Sequence, residues 1–312
     1  MGFRTFGIES EYASNAEQTL RLLYEKGFAN DGEMHRYHCD CNTCDFGSDA
    51  IWRGQHDSTV NGELISTIFS TSDWNFALDA IEALCSSARD AGATTSTQTG
   101  VHVHVSRAVV GGTPQRSETV ALAYFLTERY FTEIVAPGNS RAKREMNRTL
   151  LQAFRSYVAE WGDFDRFVDA NGLYVENVLD HPFAMGYKLM AAIGQDRHVD
   201  LNIGRRLPTY EFRVFNGTLA EWRMELNARI SVAFIDAAHE LVEASLGDDS
   251  VTDLIRQGHD SDYTTKRPTI HVSDFVDILS RYDDKLPALI ERQAAFMRTR
   301  YAKQIPAPAP HE

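Results

Sequence analysis

The sequence predicts an α+β fold in one domain, with a sheet that is apolar on one face and polar on the other. Three observations carry this: short segments alternate strictly in polarity, apolar stripes recur at helical spacing between them, and no linker is long enough to divide the chain. The economical reading is a single domain over 1–303, with a Cys-rich loop inserted at 35–47 and a Pro/Ala-rich tail at 304–312 that stays unfolded. A chain of 312 residues is long enough to bury a large core.

Residues 3–12 alternate and form the first strand. Residues 16–26 follow as a helix, with Ala16, Leu20 and Leu23 on one face and Gly27 as its stop. Two short strands are expected near 49–55 and 62–68. Ser72 is expected to cap a helix whose Trp74, Leu78, Ile81 and Leu84 form a stripe, and Gly92 ends it. A strand at 101–106 comes next, then a helix from Ser117 to about Val135, punctuated by Pro137-Gly138. Further helices are expected within 140–170. Strands near 197–203 and 208–216 flank an arginine-bearing turn, and the helical C-terminal third comprises Glu221 to about Leu246, 273–281 and 286–303.

Composition narrows the partners. Thirty-one Lys and Arg face 44 Asp and Glu, a net charge of −13, which disfavours nucleic acid as the main partner because clustered cations are needed to displace counterions from phosphates. No apolar run approaches the roughly 18 residues of a membrane span, and the first residues lack an apolar signal core. A cytoplasmic protein is expected. An acidic balance does permit a carboxylate cluster that holds divalent cations.

Three strands each carry chemically capable side chains at i and i+2, hence on one face of the pleat. Glu9 and Glu11 oppose Phe6, Ile8 and Tyr12; His102, His104 and Ser106 oppose Val101, Val103 and Val105; Glu211 and Arg213 oppose Tyr210, Phe212 and Val214. Glu63 lies on a further strand and Asp57 on the turn before it. Any one pair could simply be a solvated strand face, but solvation alone would use Lys, Thr and Ser. Oxygen donors with an occasional imidazole suit hard cations such as Mg²⁺ or Mn²⁺, and carboxylate-held metals beside arginine suit phosphoryl transfer.

Four segments, Gly7-Ile8-Glu9-Ser10-Glu11, Asp57-Ser58 with Gly62-Glu63-Leu64-Ile65-Ser66, Thr99-Gly100-Val101-His102-Val103-His104-Val105, and Glu211-Phe212-Arg213-Val214-Phe215-Asn216-Gly217-Thr218, resemble in order the motifs of the amidoligases. That family belongs to the carboxylate-amine ligase superfamily, with glutamine synthetase and glutamate–cysteine ligase, and occurs in bacterial and phage settings. The resemblance runs from about residue 3 to about residue 220. It implies a curved antiparallel sheet whose acidic concave face holds ATP and two cations, with helices on the other face. It further implies Glu11 and Glu63 as ligands of one metal, and Glu9, His102 and Glu211 as ligands of the other. Asp57 would join or orient the first group, or act as a base. His104 would sit near the nucleotide, and Arg213 near the γ-phosphate or the acceptor carboxylate. Arg205 and Arg206 are second phosphate contacts or an ordinary solvated turn; Lys188 and Asn202 are weaker candidates. The implied reaction forms an acyl phosphate from a small-molecule or peptide carboxylate and ATP, then an amide by attack of an amine.

Cys39, Cys41 and Cys44 lie within six residues, beside His35 and His38. With one histidine they could hold a structural Zn²⁺, His35, His38 and His56 competing for the fourth place; redox-active or unligated thiols are the other readings. Cys85 reads as a small buried hydrophobe. Two other functions stand beside the ligase: a metal-dependent amide hydrolase using the His-x-His strand, and an inactive binding scaffold. The helical third could also serve a homo-oligomer.

Overall fold

The structure is a computed structural model that describes residues 2–36, 50–112, 115–135, 200–203, 208–246 and 270–302. The described elements run β1 (Thr5–Tyr12), α1 (Ala16–Glu25), β2 (Ala29–His35), β3 (Trp52–Gln55), β4 (Gly62–Ser66), β5 (Phe69–Ser70), α2 (Trp74–Asp90) and β6 (Gly100–Ser106). They continue with α3 (Ser117–Val135), β7 (Leu201–Asn202), β8 (Thr209–Asn216), α4 (Glu221–Leu246), α5 (Val272–Ser280) and α6 (Leu286–Ala302). The helices expected within 140–170, Lys188, Arg205, Arg206, the cluster of His38, Cys39, Cys41 and Cys44, and the tail all fall outside the described residues.

The strands form one open sheet in the order β2-β3-β4-β1-β6-β8-β7, with β5 also paired to β1. Every pairing is antiparallel except β2 with β3. The expected wholly antiparallel sheet is therefore corrected at one edge. There the segment Asn30-Asp31-Gly32, which lacks alternation and reads as a turn, is drawn into register beside β3. Register decides the faces. Phe6, Ile8 and Tyr12 of β1 are buried with Val101, Val103, Val105, Tyr210, Phe212 and Val214 in one core that also takes the apolar stripes of α1 to α5. The aromatic rings of Tyr124, Phe131, Phe212 and Phe234 interlock within it at centroid distances of 5.4–6.3 Å.

Helix ends are fixed by side chains distant in sequence. Asn61 Oδ1 accepts the Ala16 amide at 3.0 Å. Asn15, in the left-handed region at φ 58°, donates its amide to the carbonyls of Ala91 and Gly92. That clasp joins the start of α1 to the end of α2. The cap of α2 is Asp73, whose Oδ1 accepts the Phe76 amide at 3.2 Å, not the expected Ser72, whose hydroxyl is engaged with Ser70 at 2.7 Å. Gly54 has no room for a side chain: a Cβ there would lie 2.5 Å from Met34 Sδ and 2.6 Å from Leu20 Cδ2, so glycine lets α1 and β2 close on the sheet.

Two buried cations tie the helices in place. Arg229 of α4 lies 4.1 Å from the Trp74 ring centroid and pairs with Glu225 at 2.8 Å and Asp283 at 2.9 Å. Arg4, only 1% exposed along its side chain, pairs with Asp236 of α4 at 2.5 Å and donates to the Ser106 carbonyl at 3.1 Å. Asp236→Ala leaves that guanidinium buried without its counter-charge. The expected loss is about 3 kcal/mol, the low end for breaking a buried pair because Asp236 is partly exposed; chemical denaturation reads it.

Candidate functional site

Pairing along β1 brings the chemistry together. Glu9 lies opposite His102 on β6 and Ile65 on β4, Glu11 lies opposite Glu63, and His104 lies opposite Glu211 on β8. Residues paired in this way point to the same side of the sheet. Glu9, Glu11, Glu63, His102, His104, Glu211 and Arg213 therefore share the face away from the apolar core, joined by Asp57 from the turn before β4. Much of this floor is dry: His102 is 2% exposed, Glu11 and Glu63 4% each, and Glu211 5%.

Two groups of donor atoms result. Glu9, His104 and Glu211 offer ligand atoms that all lie within 4.8 Å of one another, and so do Glu11, Asp57 and Glu63. His102 stands between the groups. Its Nδ1 is 3.1 Å from Glu9 and 3.7 Å from Glu211, and its Nε2 is 3.5 Å from Glu11. His104 Nε2 lies 3.1 Å from Glu9, and Arg213 Nη1 bonds Glu211 Oε1.

Crowding sets the charges. Burial opposes ionisation of Glu9, but His102 and His104 close on both of its oxygens outweigh burial and hold its carboxyl well below the usual carboxylate range. Burial also disfavours a proton on His104, yet Glu9 beside it and the charge of Glu211 raise its basicity. Glu63 goes the other way: burial, then the charges of Glu9, Asp57 and Glu11, push it up to about 8. A Glu63 carboxyl whose charge is opposed by burial and by its acidic neighbours, and a His102 Nε2 buried without a well-aligned hydrogen bond, fit a divalent cation. The oxygen-rich donor set suits a hard one.

Outer contacts tie the donors. Asn202 Nδ2 donates to Glu211 Oε2 at 2.7 Å, the Gly100 amide donates to Glu11 Oε2 at 2.6 Å, and Thr59 donates both its amide and its hydroxyl to Asp57 Oδ1, each at 2.6 Å. Thr209 Oγ1 lies 3.2 Å from His104 Nδ1. Sequence reading places Asn202 only as a weak phosphate contact and misses Thr209 and Thr59. Thr209 was legible, since it lies two residues before Glu211 on the same face. The Gly100 amide left no signal, because any residue but proline carries it. Of the histidines beside the cysteine cluster, His35 lies 3.2 Å from Asp31 Oδ2, and the His56 amide donates to the His35 carbonyl at 2.8 Å.

The model of a family described as "Putative amidoligase enzyme" matches residues 4–235. That span contains every residue of both donor groups. A comparison with curated proteins finds no match. Among the described residues, no helix is long and apolar enough to cross a membrane.

The Glu63 carboxyl sets a pH dependence. A carboxyl whose pKa rises from 4.5 to about 8 on folding holds its proton more tightly in the folded state, so its stabilising contribution is full below 4.5 and is lost as pH climbs through about 8. In EDTA, the unaltered protein should lose stability relative to Glu63→Gln between pH 5 and pH 9. Parallel melting curves for the two proteins across that range would refute the assignment.

Proposed function

The chain belongs to the amidoligase family, and from that premise we propose that it is an ATP- and Mg²⁺-dependent ligase that joins a carboxylate to an amine through an acyl phosphate. The observation that carries this reading is the pair of adjacent donor groups on one sheet face, Glu9–His104–Glu211 and Glu11–Asp57–Glu63, with a guanidinium beside them. Hydrolases built on His-x-His gather further His and Asp on later strands, whereas β8 supplies Glu211 and Arg213.

Glu9, Glu211 and a histidine of the 102–104 pair would hold one Mg²⁺ or Mn²⁺, and Glu11 and Glu63 the other, with Asp57 beside that second group rather than on the ion; such ions supply charge neutralisation for the phosphates of ATP. Arg213, which pairs with Glu211, would exchange that partner for an oxygen of the transferring phosphoryl group. The substrate carboxylate oxygen attacks the γ-phosphorus and ADP leaves, which turns a poor leaving group into phosphate. The amine nitrogen then attacks the acyl carbon, the carbonyl is restored as phosphate departs, and the amine proton passes to a base. Asp57 is our candidate for that base, because it stands half-buried on a turn at the edge of the floor. Burial of the surrounding carboxylates limits the water that would hydrolyse the intermediate. His104 would face the nucleotide from the Glu9 side.

Purified protein with Mg²⁺, ATP and a mixture of amino acids should release phosphate only when a matching carboxylate and amine are both present. Glu9→Ala and Glu211→Ala should each lower release by roughly two orders of magnitude or more. Undiminished turnover in both variants would sink the site; amide cleavage without ATP would identify a hydrolase, and failure to bind Mg²⁺-ATP a scaffold.

A further inference from the structure

The donors of this site share a feature that the reaction does not require: one atom of each tied ligand is already engaged by a neutral hydrogen-bonding group. Glu211 Oε2 is held by Asn202 at 2.7 Å, Glu11 Oε2 by the Gly100 amide at 2.6 Å, and Asp57 Oδ1 by Thr59. The opposite oxygens face cationic or ionisable groups: Glu211 Oε1 is bonded by Arg213 Nη1 and lies 3.7 Å from His102 and 3.9 Å from His104, and Glu11 Oε1 lies 3.5 Å from His102. Glu9 divides its two oxygens between His102 and His104, each at 3.1 Å. In Glu211 the oxygen on the cationic side is the one a metal ion would take, in place of the guanidinium and imidazoles, while the neutral Asn202 donor keeps the other.

That restriction bears on which ion binds. Ca²⁺ takes six to eight oxygens and commonly uses both oxygens of a carboxylate, whereas Mg²⁺ and Mn²⁺ are satisfied by octahedral sets of single oxygens. We propose that Asn202 is a positioning residue that confines Glu211 to one-oxygen ligation and so makes the site select Mg²⁺ or Mn²⁺ against Ca²⁺. This rests on the metal reading given above. Asn202 pairs directly with Glu211 across β7 and β8 and is buried, so its amide is a fixed neutral donor rather than a competing charge. Unlike the Gly100 amide, it can be removed by substitution.

The test uses the full chain, stripped of metal, with Mn²⁺ binding followed by electron paramagnetic resonance and Ca²⁺ measured by competition. In Asn202→Ala and Asn202→Leu, Mn²⁺ affinity should fall about tenfold or more, the range seen when an outer hydrogen bond to a ligand is lost. Ca²⁺ affinity should hold or rise, so the ratio of the two shifts by at least that factor. Equal loss of both affinities indicates a merely structural role and overturns the proposal. Should neither variant fold, infrared difference spectra of the unaltered protein decide instead: carboxylate stretching bands of one-oxygen ligation with Mn²⁺ support it, and bidentate bands overturn it. An unaltered protein that binds neither ion refutes the metal reading itself, a different result from an unchanged ratio.

Discussion

The register of β1 is the constraint on which the rest depends. Its two long neighbours, β4 and β6, set Glu11 against Glu63 and Glu9 against His102. A slip of one residue would turn the carboxylates of β1 into the core and put Phe6, Ile8 and Tyr12 among the imidazoles. The apolar side enforces the correct alignment, since Phe6, Ile8 and Tyr12 are at most 2% exposed there. Packing on one face thus specifies chemistry on the other.

The polar face is a costly arrangement for a fold to hold. Its carboxylates are buried close together, and they respond differently: Glu9 stays ionised against two imidazoles, while Glu63, lacking such a partner, takes up a proton more readily. Stability must come from elsewhere, and the structure offers the continuous core beneath the sheet together with the Arg4–Asp236 and Arg229–Asp283 pairs. A local conflict of this kind is what functional sites tend to show.

Legibility followed the physics of each element. Helices α3 and α4 match their expected bounds because long apolar stripes at helical spacing admit few other structures. Strands β1, β6 and β8 were readable from alternation, and with them the common face of Glu9, Glu11, His102, His104, Glu211 and Arg213. Strand β2 was not, because Asn30-Asp31-Gly32 has turn chemistry and is recruited only by its neighbour. Strand β5, two residues long, is too short to show a period. The cap of α2 was misread by one position because Ser72 and Asp73 are both good caps, and the competing Ser70 hydroxyl decides between them. At the site, residue types were visible but pairings were not: which oxygen Asn202 holds, or that a backbone amide grips Glu11, follows only from strand register.

The central strand is also made before the strands it pairs with. Its partners come much later in the chain, β4 beginning at Gly62 and β6 at Gly100, and its anchor Arg4 waits for Asp236. Contacts of such separation favour slow folding, during which both edges of β1 stand open to other chains. Glu9 and Glu11 lie in the middle of that waiting edge, and charged side chains are what natural sheets use to discourage edge-to-edge pairing. The carboxylates that crowd the finished face would therefore act earlier as guards of the unfinished one, so a substitution that empties the site of charge could also lower the yield of soluble protein.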